Sequence, residues 1–306
     1  MDKFFKHILK VGPALIILAA VLWALDGVVR RSLYSLPPII IVFYEHLIGA
    51  AILIPFVWKK LIAVRLSKQE IFLLAVIATL SGVLGTLWFT TALLQVNFIP
   101  FSVVFLLQKL QPIFAITSAI IFLHEPLKKN YITWALLAAA AAYFVTFPGG
   151  VVNFETGTGT AIAALFALGA AFAWGTSTTF SKMALTKYDS NVVTALRFIF
   201  TTIIAIPFIV FLGALPQVFA PDFSQFLRFG FIALSTGMVA LLIYYKGLKQ
   251  TPVRVATILE LTFPVLAIII DAVLYKTFLA PGQLLAAIVL IFSIWRLSSL
   301  QIQHKV

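Results

Sequence analysis

Apolar residues run through this chain in blocks of about 20, the length a helix needs to cross the hydrocarbon of a bilayer. Read by that length, the pattern predicts ten transmembrane helices near residues 11–31, 38–58, 70–91, 99–123, 131–148, 159–182, 190–212, 226–247, 253–276 and 280–300. The links are short and carry breakers: Pro37-Pro38, Pro148-Gly149-Gly150, Pro216, Pro221, Pro252 and Pro281-Gly282. None is long enough for a soluble domain. The fold class expected is an all-α membrane protein.

Composition supports the same solvent. Apolar residues make up 62% of the chain and charged residues 10%, too few to wet a globule of 306 residues. Lys and Arg number 22 against 10 acids, a net charge of +12. Sixteen of the 22 fall in alternate links or at the ends flanking them, and four on the opposite side, with Lys109 and Arg197 inside helices. That bias orients the chain with both termini cytoplasmic, in a bacterial-type inner membrane, and explains the basic charge without nucleic acid. There is no cysteine, and His7, His46, His124 and His304 show no zinc-ligand spacing, so neither a metal nor another cofactor is expected. The first apolar run is too long for a secretory signal and reads as an uncleaved helix. Phe4, Phe5, Ile8 and Leu9 ahead of it share one helical face, with Lys3, Lys6 and Lys10 able to reach headgroups, as in an interfacial anchor.

Punctuating residues reveal an internal repeat. QKLQPIFAITSAIIFLHEPL in helix four aligns with ELTFPVLAIIIDAVLYKTFL in helix nine, setting Pro112 on Pro264, Ala115 on Ala267, Leu127 on Leu279 and Gln108 on Glu260. Trp23 in helix one falls on Trp174 in helix six, and Arg31 on Lys182; one residue of slippage sets Pro55 on Pro207 and Glu45 on Arg197. Two halves of five helices follow, 1–150 and 151–306. Five is odd, so the second half enters the membrane from the opposite side, the inverted-repeat plan of many secondary transporters.

These residues resemble the drug/metabolite transporter superfamily, specifically its EamA-type ten-helix proteins. The resemblance rests on QPIFAITSAIIFLHEPL, the Trp near the middle of helices one and six, and Ala92-Leu93 and Gly247-Leu248 ending helices three and eight. His124 stands where Gly is usual, and Glu45-His46 where helix two often carries a basic residue. The resemblance implies a fold of two repeats and a cavity lined by helices three, six and eight, where Trp88, Trp174, Tyr244 and Tyr245 lie. Of these, Trp174 and Tyr244 are taken as substrate contacts.

Charges at membrane depth are costly and should face a cavity or a partner. Arg30, Arg31, Lys182, Lys246 and Lys276 lie near helix ends and can snorkel. The interior set is Asp26, Glu45, His46, Lys109, Arg197, Glu260 and Asp271. On helix nine Glu260 and Asp271 differ by about 20° around the axis and about 16 Å along it, sharing a face with Pro264 and Ala267. The central polar site expected is Glu260 and Gln108, with Gln111 adjoining. Glu260 either contacts substrate or carries a proton, as Asp271 also could; alternatively Lys109 neutralises it. Asp26 either binds a substrate ammonium beside Trp23 or pairs with Arg30 one turn away. Glu45 is expected to pair with Arg197. Ser177 and Thr178 offer hydroxyls to substrate or to helix packing.

The stretch Thr156-Gly157-Thr158-Gly159-Thr160 lacks the Gly-Lys-Ser/Thr of a phosphate loop, and no ATPase motif occurs. No catalytic constellation supports an enzyme. The function expected is a secondary transporter of a small polar or amphipathic metabolite, an amino acid or related compound, exporting it by alternating access, with protons as a candidate coupling ion. The alternative is a non-transporting scaffold or sensor.

Overall fold

The computed structural model describes residues 11–95, 101–123, 129–150, 159–251, 256, 259–260 and 262–300. The basic segment before helix one, the His124-Glu125 end of helix four and the link around Gly157 lie outside the described residues. Seven helical spans are long and apolar enough to cross a membrane, and three shorter apolar helices occupy the remaining predicted positions. They are α1 (Val11–Arg31), α2 (Pro38–Ala63), α3 (Lys68–Leu94), α4 in two pieces (Phe101–Gln108 and Gln111–Leu123), α5 (Tyr131–Thr146), α6 (Gly159–Lys187), α7 (Ser190–Phe211), α8 in two pieces (Phe223–Leu234 and Met238–Gln250), α9 (Thr262–Ile270) and α10 (Pro281–Leu300). The fold is an all-helical membrane fold.

Small residues carry the helix contacts. Ala19, Ala20 and Ala24 of α1, Ala138, Ala141 and Ala142 of α5, and Ala163, Ala167, Ala170 and Ala171 of α6 are all buried. Where lipid is as apolar as leucine, close backbone approach and dispersion drive helix association, and small side chains permit it. Large apolar side chains such as Phe56, Phe72, Phe144, Leu165, Phe211 and Ile288 point outward instead.

The contacts repeat under exchange of each helix with the one five later. α1 packs on α8, and α6 on α3; α2 packs on α7, α4 on α9, and α5 on α10. One detail reproduces the predicted register closely. Arg31 at the end of α1 donates to the Leu93 carbonyl at the end of α3 (3.1 Å), and Lys182 on α6 donates to the Leu248 carbonyl near the end of α8 (2.7 Å). Each cation thus satisfies carbonyls that a helix C-terminus leaves open. Arg31 and Lys182 are therefore partly buried caps rather than the snorkelling chains expected.

Four helices are interrupted at matching places. In α4, Lys109 and Leu110 form a turn between the two pieces. Pro112 has no N–H for the Gln108 carbonyl four residues back, and its ring crowds that carbonyl. In the equivalent place Glu260 occupies a turn just before α9, four residues before Pro264. Its N–H still bonds helically to the Ala256 carbonyl (2.9 Å), while its own carbonyl accepts from Phe263 three residues on (3.0 Å). α3 widens into π-helix over Ala78–Gly85, and α8 breaks between Leu234 and Met238, where Ser235 and Gly237 leave helical backbone angles.

The end of the bundle predicted to be cytoplasmic is closed by polar caps. Asp189 begins α7 by accepting from the Asn191 N–H (3.0 Å) and pairs with Lys60 at the end of α2 (3.2 Å).

Candidate functional site

The interrupted helices surround one cavity of about 120 Å³ in the middle of the bundle. Its apolar wall is aromatic, with Trp23, Phe89, Trp174, Phe198, Tyr244 and Phe263 among the lining residues. Trp23 lies against Tyr244 with ring centroids 4.9 Å apart, and Trp174 against Phe89 at 5.1 Å. Its polar wall falls into three groups.

The first group is an ion triad near the end of α1. Arg30 donates from Nε to Asp26 (2.8 Å), from Nη2 to Glu45 on α2 (2.9 Å) and from Nη1 to Thr90 on α3 (3.1 Å). Thr236, in the α8 break, donates its hydroxyl to the other oxygen of Asp26 (2.5 Å). All five side chains are buried. Arg30 is 2% exposed, so the snorkelling expected of it does not occur. Glu45 pairs with Arg30 and not with Arg197. Asp26 takes the second of its two sequence readings, the partner of Arg30, and its oxygens are already occupied.

The second group joins the breaks of α4 and α9. Lys109 donates to Glu260 (3.1 Å), whose other oxygen accepts from the Tyr244 hydroxyl on α8 (2.8 Å). The Lys109 ammonium also lies 4.7 Å from the centre of the Phe263 ring. Gln108 donates to Gln111 (2.6 Å), and Gln111 to Thr178 on α6 (3.4 Å). Glu260, Gln108, Gln111, Tyr244 and Trp174 thus share the cavity as the sequence reading placed them. Glu260 is the neutralised member of an ion pair.

The third group was hardly legible in the sequence. Arg197 donates to the Tyr245 hydroxyl (3.0 Å) and to the Ser81 carbonyl (3.2 Å). Trp174 donates its indole N–H to that same carbonyl (2.9 Å), and Ser181 shares a hydrogen bond with Tyr245 (3.1 Å). Ser81 lies in the π-helical stretch of α3, a form found often at functional sites. No sequence signal marks a π turn, though the Ser81-Gly82 and Gly85 positions beside an apolar run are consistent with close packing there.

Asp271 does not line the cavity. Its carboxylate accepts from the Ser102 backbone N–H (2.6 Å) at the start of α4, a cap supplied by another helix. The calculation that placed it on Glu260's face assumed one regular helix. The turn at Glu260 removes that assumption, and Asp271 stands at the far end of α9, where a π turn begins. Trp88 also falls outside the cavity lining. Among the described residues no cluster of His, Asp and Glu could hold a metal.

Comparison with known proteins places this arrangement. The family model of the EamA-like transporter family matches the chain twice, over residues 10–147 and 161–299. The riboflavin transporter ImpX of Fusobacterium nucleatum is 35% identical over 303 residues, covering 98% of this chain and 100% of that protein. A crystal structure of a protein at 15% identity superimposes with a TM-score of 0.64 over 95% of this chain and 96% of that one, a likeness of fold. The chain is a multi-pass membrane transporter of the drug/metabolite type and not an enzyme; it belongs to the EamA-like transporter family.

Proposed function

We propose that this protein carries a neutral aromatic heterocycle of the riboflavin kind across the inner membrane, through the cavity between two inverted five-helix halves, 1–150 and 151–306. The observation that carries the reading is the state of the cavity's charges. Asp26 and Glu45 are bound to Arg30, and Glu260 to Lys109 and Tyr244. Among the described residues every carboxylate of the cavity lining already has a cationic partner, so the amino acid expected from sequence meets no unpaired acid for its positive end. Seven Trp, Phe and Tyr side chains line it instead and suit a ring system. The 35% identical relative bears the name of a riboflavin transporter, which supports the same substrate class.

The halves are supported by the matching caps of Arg31 and Lys182 and by the helix exchange described above. Interrupted helices meeting at a central site are the arrangement in which one half rocks on the other to open the site to each side in turn. Both termini lie in the cytoplasm on this reading, as the basic links require. Lys109 and Tyr244 engage both Glu260 oxygens and the Ser102 N–H engages one Asp271 oxygen, and this reading assigns no coupled proton to either residue. Transport then follows the solute's own gradient, and direction is set by which side holds more.

Counterflow of radiolabelled riboflavin in proteoliposomes tests this. The expected result is saturable exchange, inhibited by excess flavin and indifferent to amino acids. Exchange of an amino acid with no flavin flux would overturn the substrate class.

A further inference from the structure

The register that sets Trp23 on Trp174 also sets Asp26 on Ser177 and Arg30 on Ser181, and the next helix sets Glu45 on Arg197. Matching the ends of α3 and α8 sets Thr90 on Tyr245 and Thr236 on Ser81. The contacts agree with this pairing: Arg30 meets Thr90 as Ser181 meets Tyr245. The two sides of the cavity are therefore structural counterparts with different chemistry. On one side a guanidinium is saturated by two carboxylates. On the other, Arg197 has no carboxylate partner among the described residues, and serines stand where Asp26 and Arg30 stand opposite.

Three polar groups of the cavity are buried without a hydrogen-bond partner: Arg197 Nε and the Ser177 hydroxyl on this second side, and the Gln108 side-chain carbonyl at the break of α4. Ser177 is 1% exposed and Gln108 3%, and all three residues line the cavity. Gln108 donates one amide N–H to Gln111, and its unpaired atom, the side-chain carbonyl oxygen, is an acceptor. The set reads as one charged N–H donor, one carbonyl acceptor and one hydroxyl able to do either. Buried groups of this kind are seldom left unpaired.

The charge balance narrows what completes them. Asp26, Glu45 and Glu260 face the cavity against Arg30, Lys109 and Arg197, three acids against three bases. The extra acid of the first side offsets Arg197, so the site favours an uncharged ligand over a phosphate or carboxylate. A planar, neutral edge in which a carbonyl adjoins an N–H satisfies both the donor and the acceptor.

We infer that Arg197, Ser177 and Gln108 form the subsite that reads the imide edge of the substrate ring. Arg197 and Ser177 donate to a ring carbonyl, and the Gln108 carbonyl accepts the neighbouring ring N–H. This rests on the reading of the cavity as a flavin-type transport site, and it assigns which face of the ring enters the second side.

The test is equilibrium binding to the purified full-length protein, followed by flavin fluorescence, with riboflavin and with riboflavin methylated at the imide nitrogen. Wild type should bind riboflavin at least about 10-fold more tightly than the methylated compound, because methylation leaves Gln108 unpaired. In Gln108→Met that ratio should fall toward one, while the methylated compound keeps its wild-type affinity. Arg197→Lys, which keeps the charge but loses the planar fork, should weaken riboflavin by about 10-fold or more. Equal binding of both flavins by wild type, or an unchanged ratio in Gln108→Met, would overturn the subsite while leaving the transport reading intact. A folded wild type that binds neither flavin would overturn both. Should Gln108→Met fail to fold, the wild-type ratio alone still decides.

Discussion

Arg30 and Glu45, on adjacent helices, are joined at 2.9 Å in a site closed to solvent, with Asp26 on the other edge of the same guanidinium at 2.8 Å. One cation therefore compensates two buried acids. Removing it strands both carboxylates, and breaking a buried pair in this way costs about 3–5 kcal/mol. Arg30→Met should lower the melting temperature of the detergent-purified protein sharply. The triple change Arg30→Met, Asp26→Asn, Glu45→Gln should recover much of the loss. Equal stability of Arg30→Met and wild type would show that the triad does not hold these helices together.

Lys109 and Glu260 tie the break in one helix to the turn in another. Glu260→Gln leaves the ammonium unpaired and should destabilise by a similar amount, about 3–5 kcal/mol. Lys109→Met with Glu260→Gln should be more stable than Glu260→Gln alone, a coupling that a double-mutant cycle of melting temperatures reads directly. Wild-type flavin exchange should be indifferent to an imposed pH gradient. Flux driven uphill by such a gradient, and lost in Glu260→Gln, would restore Glu260 as a proton carrier.

How much of this was legible in the sequence divides along physical lines. Pro112 and Pro264 were legible as the repeat markers that align Gln108 with Glu260, and the interruptions found beside them lie where a proline's missing N–H acts on its own helix. Arg31 and Lys182 were aligned correctly, although their targets, Leu93 and Leu248, were not foreseen. Arg30 was misjudged because position along a helix says nothing of what surrounds its end. The N-terminal half of α2 and the break in α8 close over it, and only tertiary structure brings Glu45 and Thr236 there. Asp271 was read as a candidate proton carrier; its cap on the start of α4 is a contact that only tertiary structure makes. Ser81 could not be found at all, since its contribution is a backbone carbonyl.

The π-helical stretch that presents Ser81 depends on close contact at Gly82. A Cβ built there would lie 1.9 Å from the Thr201 hydroxyl on α7. Gly82→Ala should therefore cost about 1–3 kcal/mol through overpacking. It should also weaken flavin binding, because Ser81 carries both Trp174 and Arg197. Thr201→Ala in the same chain removes the nearest atoms and should recover part of both losses. Additive losses in the double variant would contradict this contact.

At the end predicted to be cytoplasmic, the Asp189 carboxyl lies below its ordinary range. Burial would raise it, but Lys60 and the N–H groups of Asn191 and Val192 outweigh that effect. The stabilisation is thus present above the ordinary carboxylate range and is lost as pH falls through the depressed value. A helix cap of this type contributes about 0.5–2 kcal/mol. The difference in melting temperature between wild type and Asp189→Ala should be full at neutral pH and shrink in acid; a difference that grows as pH falls would contradict the assignment.

On the proposed reading one cavity opens in turn to both sides of the membrane and holds the solute. The chain contains no cysteine, so a single Leu241→Cys places a unique reporter in the cavity wall. The measurement is labelling by a membrane-impermeant thiol reagent in right-side-out and inside-out vesicles, with and without riboflavin. Labelling from both sides is expected, with protection by riboflavin on each. Labelling from one side only, or labelling that riboflavin leaves unchanged on both, would contradict it.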